Sequence, residues 1–386
     1  MARLGDVCDI LNGFAFKSEQ YVDNGIRIIR IANVQKGYIE DSTPVFYPIN
    51  SKDAKKYSLE EDDILMSLTG NVGRVAKLPK EFLPAALNQR VACLRIKDGV
   101  ALDKAFLFNL LNSDYFEQQC IAASKGVAQK NMSTEWLKEY EIPMFSLEQQ
   151  KTIASVLDKV AELIALRKEQ LAKLDQLVKS RFAELFGDPE TNPFGWEKVT
   201  VGDVCSSIVR GPFGSALKKE FFVEPDETTY KVYEQKHAIQ KSSTIGTYYV
   251  TAEKFAELRR FECVAGDILM SCSGTMGELY QLPEGCERGL INQALCKFTL
   301  NHKILPIVFL TYMKQTIGNL ETKGSGIQNI AAVSYVKAMP INLAPMEVQE
   351  QFAAFVEQTD KSKLAIQQSL GKLETLKKSL MQEYFG

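Results

Sequence analysis

Two stretches of the chain keep apolar residues at alternating steps of three and four. In the first, Ile153, Leu157, Val160, Ile164, Leu171, Leu174, Val178 and Leu185 share one stripe, and Arg167 and Arg181 occupy the two skipped positions. In the second the stripe is Phe352, Val356, Ile366, Leu370, Leu373, Leu380 and Tyr384. Spacing of this kind, sustained over so many turns, is a heptad seam. Neither Gly nor Pro interrupts Leu147 to Phe186, and Gly187-Asp188-Pro189 follows; Gly suits a helix C-cap and Pro cannot continue the helix. The pattern predicts long helices over 147–186 and 346–386, each roughly 60 Å long at about 1.5 Å per residue. A narrow apolar stripe must be buried on another helix. The two are therefore expected to pack together, antiparallel if the chain reverses between them. Helices that merely fill a core are the competing reading, but such helices are normally shorter.

The rest of the chain carries a different period. Ile26-Arg27-Ile28-Ile29-Arg30-Ile31 and Val91-Ala92-Cys93-Leu94-Arg95-Ile96 read as strands. Lys104 to Ala123 reads as a helix with Phe106, Leu107, Leu110, Leu111 and Phe116 on one side. These segments belong to a tandem repeat. Leu4-Gly5-Asp6-Val7-Cys8 returns as Val201-Gly202-Asp203-Val204-Cys205. Ile64-Leu65-Met66-Ser67 returns unchanged as Ile268-Leu269-Met270-Ser271, and Leu87-Asn88-Gln89 as Ile291-Asn292-Gln293. Ile142-Pro143 followed by Glu148 returns as Met339-Pro340 followed by Glu347, and Phe186-Gly187 as Phe385-Gly386. The order is kept throughout at a nearly constant separation, which marks a duplication. The division expected is a mixed domain over 1–146, a helix over 147–186, a second mixed domain over 187–345 and a second helix over 346–386.

Composition narrows the class. A chain of 386 residues with 45% hydrophobic and 24% charged residues is long enough for more than one core and ordinary in charge. No run of about twenty apolar residues suggests a membrane span, and Met1 to Asp6 lacks the apolar core of a signal peptide. Eight scattered cysteines without a Cys-x-x-Cys pair fit free thiols in a reducing cytoplasm. The net charge of −2 is low for a protein that grips nucleic acid phosphates unaided. Positive charge must then be local, or partners must supply it.

Catalytic chemistry is poorly represented. The two histidines, His237 and His302, have no counterparts in the other half, so no Ser-His-Asp or Cys-His site is expected. There is no phosphate-binding Gly-x-x-x-x-Gly-Lys-[Ser/Thr] motif. Asn192-Pro193-Phe194-Gly195 lacks the second Pro of an adenine-methyltransferase motif and reads as a loop. Pro225-Asp226 before Glu234-Gln235-Lys236 resembles the residue order of PD-(D/E)xK nucleases, where two carboxylates and a lysine hold magnesium. The matching place in the first half, Arg30 to Asn33, has no acidic pair. The expectation is instead a strand that turns Gln235 and Lys236 toward DNA, beside Tyr233, Lys218 and Lys219, with Arg30, Asn33 and Lys36 as the first-half candidates.

Three features suit nucleic-acid contact. Ser67, Thr69, Gly70, Asn71, Gly73 and Arg74, matched by Ser271, Ser273, Gly274 and Thr275, form a Ser-x-x-Gly-x-x-Gly turn between apolar strands. Its small hydroxyl side chains and bare N–H groups are expected to project toward phosphate; an ordinary hairpin turn is the alternative. Lys125, Gln129 and Lys130 are matched by Lys323, Ser325 and Gln328, where amide side chains can pair with adenine and lysines can reach phosphate or guanine. Asn88, Gln89 and Arg90 face Asn292 and Gln293, with Arg90 replaced in the second copy.

Taken together, the Leu-Gly-Asp-Val opening, the Ser-x-x-Gly-x-x-Gly turn, the Gly-x-x-Gln-x-Asn loop before Ile142-Pro143 and the long helix closing in Phe-Gly resemble the specificity subunit of type I restriction–modification systems. The resemblance implies an α+β chain with two similar mixed α/β target-recognition domains. Two long antiparallel helices would join them as a coiled coil with pseudo-two-fold internal symmetry. It also implies a non-catalytic role: reading two half-sites of double-stranded DNA and docking two methyltransferase subunits and the restriction subunits. The chain itself would carry no cofactor and no metal; S-adenosylmethionine, ATP and magnesium would bind the partners. A coiled-coil scaffold without DNA contact is the remaining alternative.

Overall fold

The computed structural model describes residues 1–124, 131–188, 191–322 and 332–386. The chain divides into two compact units, residues 1–170 with 366–386 and residues 171–365. The first runs β1 (Ala2–Arg3), α1 (Leu4–Val7), β2 (Cys8–Asn12), β3 (Ile26–Ile29), β4 (Phe46–Tyr47), α2 (Lys52–Lys56), β5 (Ile64–Ser67), β6 (Val75–Lys77), β7 (Ala85–Leu87), β8 (Val91–Ile96), α3 (Lys104–Leu111), α4 (Asp114–Ala123), α5 (Thr134–Glu139) and β9 (Glu141–Ile142), and then enters α6 (Leu147–Phe186). The second runs β10 (Glu197–Thr200), β11 (Cys205–Arg210), β12 (Tyr230–Tyr233), α7 (Gln235–Gln240), β13 (Tyr249–Val250), α8 (Ala252–Glu257), β14 (Glu262–Cys263), β15 (Ile268–Ser271), β16 (Leu279–Gln281), β17 (Gly289–Ile291), β18 (Leu295–Leu300), α9 (Pro306–Thr322), α10 (Val333–Lys337), β19 (Pro340–Leu343) and α11 (Met346–Phe385). The predicted strands and both long helices are present. The compact units cut across the helices, so each unit is a mixed α/β body plus one end of α6 and one end of α11.

The two units are built alike. An antiparallel sheet ordered β2-β8-β5-β6 in the first corresponds to β11-β18-β15-β16 in the second. Beside it lies β4-β3-β7, or β13-β12-β17-β14, in which β3·β7 and β12·β17 are parallel. The repeated Ile-Leu-Met-Ser strand occupies the same register in both: Ile64 faces Leu94 and Met66 faces Ala92, while Ile268 faces Phe298 and Met270 faces Cys296. The run is apolar throughout because both faces are covered. Ile64 and Met66 join a core with Phe106, Leu107, Phe116 and Leu157, whereas Leu65 turns to one with Ile29, Leu87 and Cys93. Ile268 and Met270 against Leu269 repeat the division.

One helix departs from expectation. Lys104–Ala123 is two helices, α3 and α4, rather than one. Ser113 is the N-cap of α4 and accepts a hydrogen bond from the Phe116 N–H (3.1 Å), an arrangement that starts a new helix instead of continuing the old one.

The long helices carry the seam. Along α11 positions 352, 356, 359, 363, 366, 370, 373, 377, 380 and 384 are all buried or half-buried, a stripe that alternates steps of four and three without a break, with further covered positions beside it at 353, 355, 369, 381 and 385. Thr359, Lys363 and Lys377 occupy positions the apolar pattern leaves empty. In the first unit Leu157 and Phe385 share a core and Lys168 pairs with Glu374 (3.2 Å). In the second, Phe182 packs on Phe352 (5.2 Å between rings) and Lys363 pairs with Asp175 (2.7 Å). Within each unit the helices therefore run antiparallel. α6 opens with a capping box, Ser146 and Gln149 bonding each other's backbone N–H groups, and closes at Gly187, whose φ of 73° is the left-handed C-cap conformation.

Candidate nucleic-acid interface

In each unit, segments far apart in sequence meet at one end of the antiparallel sheet that holds the Ile-Leu-Met-Ser strand. In the first, the turn after β5 is tied to the 88–90 turn by Leu68 N–H to Arg90 O (3.0 Å), and to the 131–132 segment by Met132 N–H to Leu68 O (2.9 Å). A bridge links Thr69 to Asn131. The end of β2 joins them, since Phe14 N–H donates to Leu87 O and Gln89 N–H to Phe14 O (both 2.9 Å). In the second, Cys272 N–H donates to Ala294 O (2.7 Å) and Gly211 N–H to Leu295 O (3.0 Å). Arg210 Nε donates to Gln293 O (3.2 Å).

The turn itself is held from inside, which corrects its expected layout. Ser67 and Ser271 do not project at the tip. They are buried, and each hydroxyl bonds across its own turn, to Asn71 O in one and Thr275 O in the other (2.6 Å in the second). Each also accepts the backbone N–H of the last turn residue, Arg74 (3.1 Å) or Glu278 (2.9 Å). A hydroxyl at the end of an apolar strand satisfies loop N–H and C=O groups that would otherwise be orphaned. Gly73 likewise faces inward, because a Cβ there would lie 2.7 Å from Cys120 Cβ on α4. What remains outside is Thr69, Gly70 and Asn71 in one unit and Ser273, Gly274 and Thr275 in the other. Gly70, at φ 74°, has open space where its side chain would be.

Several other candidates are buried or already paired within the unit. Asn33 is buried, and its amide donates to Glu40 O (2.8 Å) and Asp41 Oδ1 (3.0 Å) while its carbonyl oxygen accepts the Arg30 N–H (2.9 Å). Arg30 spends its guanidinium on Thr43 O (2.8 Å). Lys36 is neutralised by Asp114 and by Glu117 (2.6 Å) at the start of α4. Burial works against its charge, but these two hydrogen bonds outweigh burial and raise its pKa. The Lys36 bond in turn holds the Asp114 carboxyl below the usual carboxylate range. Tyr233 is a core residue whose hydroxyl donates to Glu287 O (2.7 Å). Arg74 reaches Gln35 Oε1 (2.6 Å), while its counterpart Glu278 pairs with Lys241 (2.6 Å). Gln89, Arg90 and Gln293 are exposed at the tips. Asn88 and Asn292 use their side-chain oxygens to accept the N–H groups of Arg90 (3.3 Å) and Ala294 (3.0 Å). Lys218 and Lys219 are exposed, with Lys218 beside Glu220 (3.6 Å). Lys125, Gln129, Lys130, Lys323, Ser325 and Gln328 lie outside the described residues.

The nuclease-like residues do not form the expected strand. Glu234-Gln235-Lys236 opens α7, with Glu234 as N-cap and Lys236 paired to it (2.6 Å). Asp226 sits in an exposed turn that bonds Thr228 (2.7 Å) and Thr229 (2.9 Å). The described residues contain no cluster of three or more His, Cys, Asp or Glu able to hold a metal ion. Gln235, on the first turn of α7, brings its amide to 3.1 Å from where a Gly274 Cβ would stand, which joins it to the second tip. The structure also adds residues that composition and motif did not pick out: Gly13 and Gly211, pressed against the backbone of Asn88 and Asn292, and Arg210.

Two units of one topology, each gathering distant segments into a polar tip, define a duplicated recognition module mounted on paired heptad helices. The chain matches the family model for the type I restriction modification DNA specificity domain at residues 1–176 and 193–378, and it belongs to that family. It is 31% identical over 186 residues to the specificity subunit of the type I restriction enzyme MjaVIII of Methanocaldococcus jannaschii, covering 46% of this chain and 43% of that one. It is 32% identical over 183 residues to the EcoAI specificity subunit of Escherichia coli, covering 46% and 30%. These matches span less than half the length of either relative. Among solved structures, the S subunit of a type I restriction–modification system from M. genitalium has the same fold, with a TM-score of 0.56 at 17% identity over 100% of this chain and 95% of that one. A chain from a structural account of complex assembly and conformational transition in the type I system reaches 0.61 at 17% identity, over 100% and 96%. Among the described residues no helix is long and apolar enough to cross a membrane.

Proposed function

We propose that the chain is the non-catalytic DNA-recognition subunit of a cytoplasmic type I restriction–modification assembly. Each unit reads one half of a bipartite double-stranded site with its tip, and α6 and α11 set the unread gap. The observation that carries this is the repeated tip: one backbone arrangement, built twice, that keeps Gln89 and Gln293 and changes Asn71 to Thr275 and Arg90 to Ala294. A scaffold kept constant beneath changing polar groups suits two different base sequences better than one repeated chemical step. Asn71, Gln89 and Arg90 are the outward groups of the first tip; Thr275, Gln293 and Gln235 are those of the second. Amide and guanidinium groups of this kind pair bidentately with adenine or guanine edges.

In this reading two methyltransferase subunits dock on the helices and restriction subunits join them. S-adenosylmethionine, ATP and magnesium bind those partners. The net charge of −2 fits this division, because the partners then supply much of the positive channel a duplex needs.

The test is a heptad inserted into α6 and another at the matching level of α11, expressed with the methyltransferase partner, followed by methylome sequencing. Seven residues add about 10 Å of helix, or about 3 base pairs at 3.4 Å each. The expected result is a gap longer by that amount with both half-sites intact. Changed half-sites over an unchanged gap would refute it.

A further inference from the structure

Phe213 is the most exposed large hydrophobic side chain among the described residues, at 77%. The residues before it are rigidly placed. Gly211 lies so close to the Asn292–Gln293 turn that a Cβ would stand 1.9 Å from Asn292 O. Arg210 is bound to Gln293 O (3.2 Å), and both Gly211 and Pro212 are buried. The residues after it are also anchored, since Ala216 N–H donates to Phe213 O (3.4 Å) and Ala216 and Leu217 pack on the core of Val232, Val250, Phe255, Leu258 and Leu290. An apolar core is thus within three residues of Phe213, yet its ring stays in water while its neighbours are fixed on either side. Exposed Lys218 and Lys219 follow.

The other unit provides the contrast. Gly13 makes the same approach, with a Cβ position 2.3 Å from Asn88 O. Phe14 then turns inward onto Phe16 (5.2 Å) and Tyr57 (5.4 Å). Counting from the matched glycines, the position of Phe213 is held by Ala15, which is small and exposed.

Resting on the function proposed above, we infer that Phe213 makes an apolar base contact in the half-site read by the second unit. The ligand surface is either a thymine methyl group or the face of a base at a partly unstacked step, into which apolar side chains wedge. Arg210 and Gln293 on one side and, further along the chain, exposed Lys218 and Lys219, with Glu220 beside Lys218, make a polar setting suited to a nucleic acid rather than to an apolar protein partner.

The experiment uses the full chain in complex with its methyltransferase subunits and a bipartite duplex. Phe213→Ala, which copies the first unit, is expected to weaken binding by roughly 5- to 150-fold, the range found on removing a base–aromatic contact. Phe213→Trp should bind within about 3-fold of wild type, as an aromatic replacement preserves that contact. Because no phosphate contact is lost, the dependence of log affinity on log salt should keep its slope. Thermal melting should not change, since the ring is in water. Thymine-to-uracil replacement at one position of the second half-site reproduces the loss, non-additively with Phe213→Ala, if a methyl group is the ligand. A rise in 2-aminopurine fluorescence that Phe213→Ala abolishes marks an unstacked step instead. Wild-type affinity for Phe213→Ala overturns the inference, as does a reduced salt slope or a loss that follows the first half-site. Failure of the wild-type complex to bind any bipartite duplex removes the function reading itself, and the inference with it.

Discussion

Gln150 and Gln349 join the mixed part of each unit to its long helix, and their removal should cost one unit and spare the other. Gln150 is fully buried. Its amide donates to Phe145 O (2.8 Å) and Ala101 O (3.1 Å), and its oxygen accepts the Asp103 N–H (2.8 Å). Gln349 repeats the set with Ala344 O (2.9 Å), Lys303 O (3.0 Å) and the Leu305 N–H (2.9 Å). Replacing Gln150 with Met keeps most of the volume but strands three backbone groups, each worth about 1–3 kcal/mol when left buried and unbonded. Some relaxation is expected, so the estimate is about 3–5 kcal/mol in the first unit. Because the chain has two units, one global unfolding energy is not the right measure. Hydrogen exchange read by mass spectrometry resolves them. Gln150→Met should speed exchange of the Asp103 amide by at least about 100-fold, since about 1.4 kcal/mol is tenfold, and should leave Leu305 unchanged. Gln349→Met should do the reverse. Exchange within about 3-fold of wild type at Asp103 would refute the estimate, because the stranded groups would then cost less than about 1 kcal/mol.

Further outcomes follow from single residues. Gly73→Ala should destabilise the first unit by about 1–3 kcal/mol, since left-handed backbone strain adds to a Cβ 2.7 Å from Cys120, whereas Gly70→Ala, with the same backbone but open space, should cost only about 1 kcal/mol; equal losses in urea unfolding would contradict this. His237 is buried, with Nε2 bound to Ile245 O (2.7 Å) and Nδ1 to the Glu234 N–H (2.8 Å), and burial pushes its pKa below the ordinary 6.5. The unfolded chain then takes up a proton first, so stability present above pH 6.5 declines as the pH falls toward the lowered value; a second-unit melting temperature that is flat over that range, or as steep in His237→Gln, would exclude this role. Lys231 is 2% exposed and held by Glu287 (2.8 Å), which is half exposed. Glu287→Ala should cost about 1–3 kcal/mol by leaving the buried cation unpaired, whereas Lys231→Met should be nearly neutral. Burial works to raise the Glu287 pKa, but its bonds from Lys231 and Tyr249 outweigh that and hold it low. The pair's contribution is therefore lost only as the pH falls through the acid carboxylate range, and urea titrations at neutral and acid pH check both points.

The seams, the strands and the duplication could be read from the sequence because each is a periodicity that survives without knowledge of its partner. The alternation of three and four located both helices, although Thr359, Lys363 and Lys377 complete the second seam and hydropathy cannot see them. The break between α3 and α4 had a local signal, Ser113 followed by Asp114 and Glu117 in the first turn, which the apolar stripe across it obscured. Tyr233 and Asn33 look like contact residues by type. Only the parallel pairing of β12 with β17, and the short loop that Asn33 closes, put them inside. The approach of Gly13 and Gly211 to a turn far along the chain has no local signature at all.

The largest correction concerns what a repeat means. Residues shared by the two halves are the natural first choice for function, and Ser67 with Ser271 headed that choice. In the structure most of the shared residues do structural work: the serines staple the turns, Gly73 and Gly277 admit the helix behind them, Asn88 and Asn292 close a second turn, and Gln150 and Gln349 tie in the long helices. Around one outward pair that the halves share, Gln89 and Gln293, other outward positions differ, Asn71 against Thr275, Arg90 against Ala294 and Ala15 against Phe213. A duplicated frame that reads two different sequences has to keep its supports and vary its tips. Apart from the Gln89 and Gln293 pair, identity between halves therefore points to folding, and difference on a shared frame points to recognition.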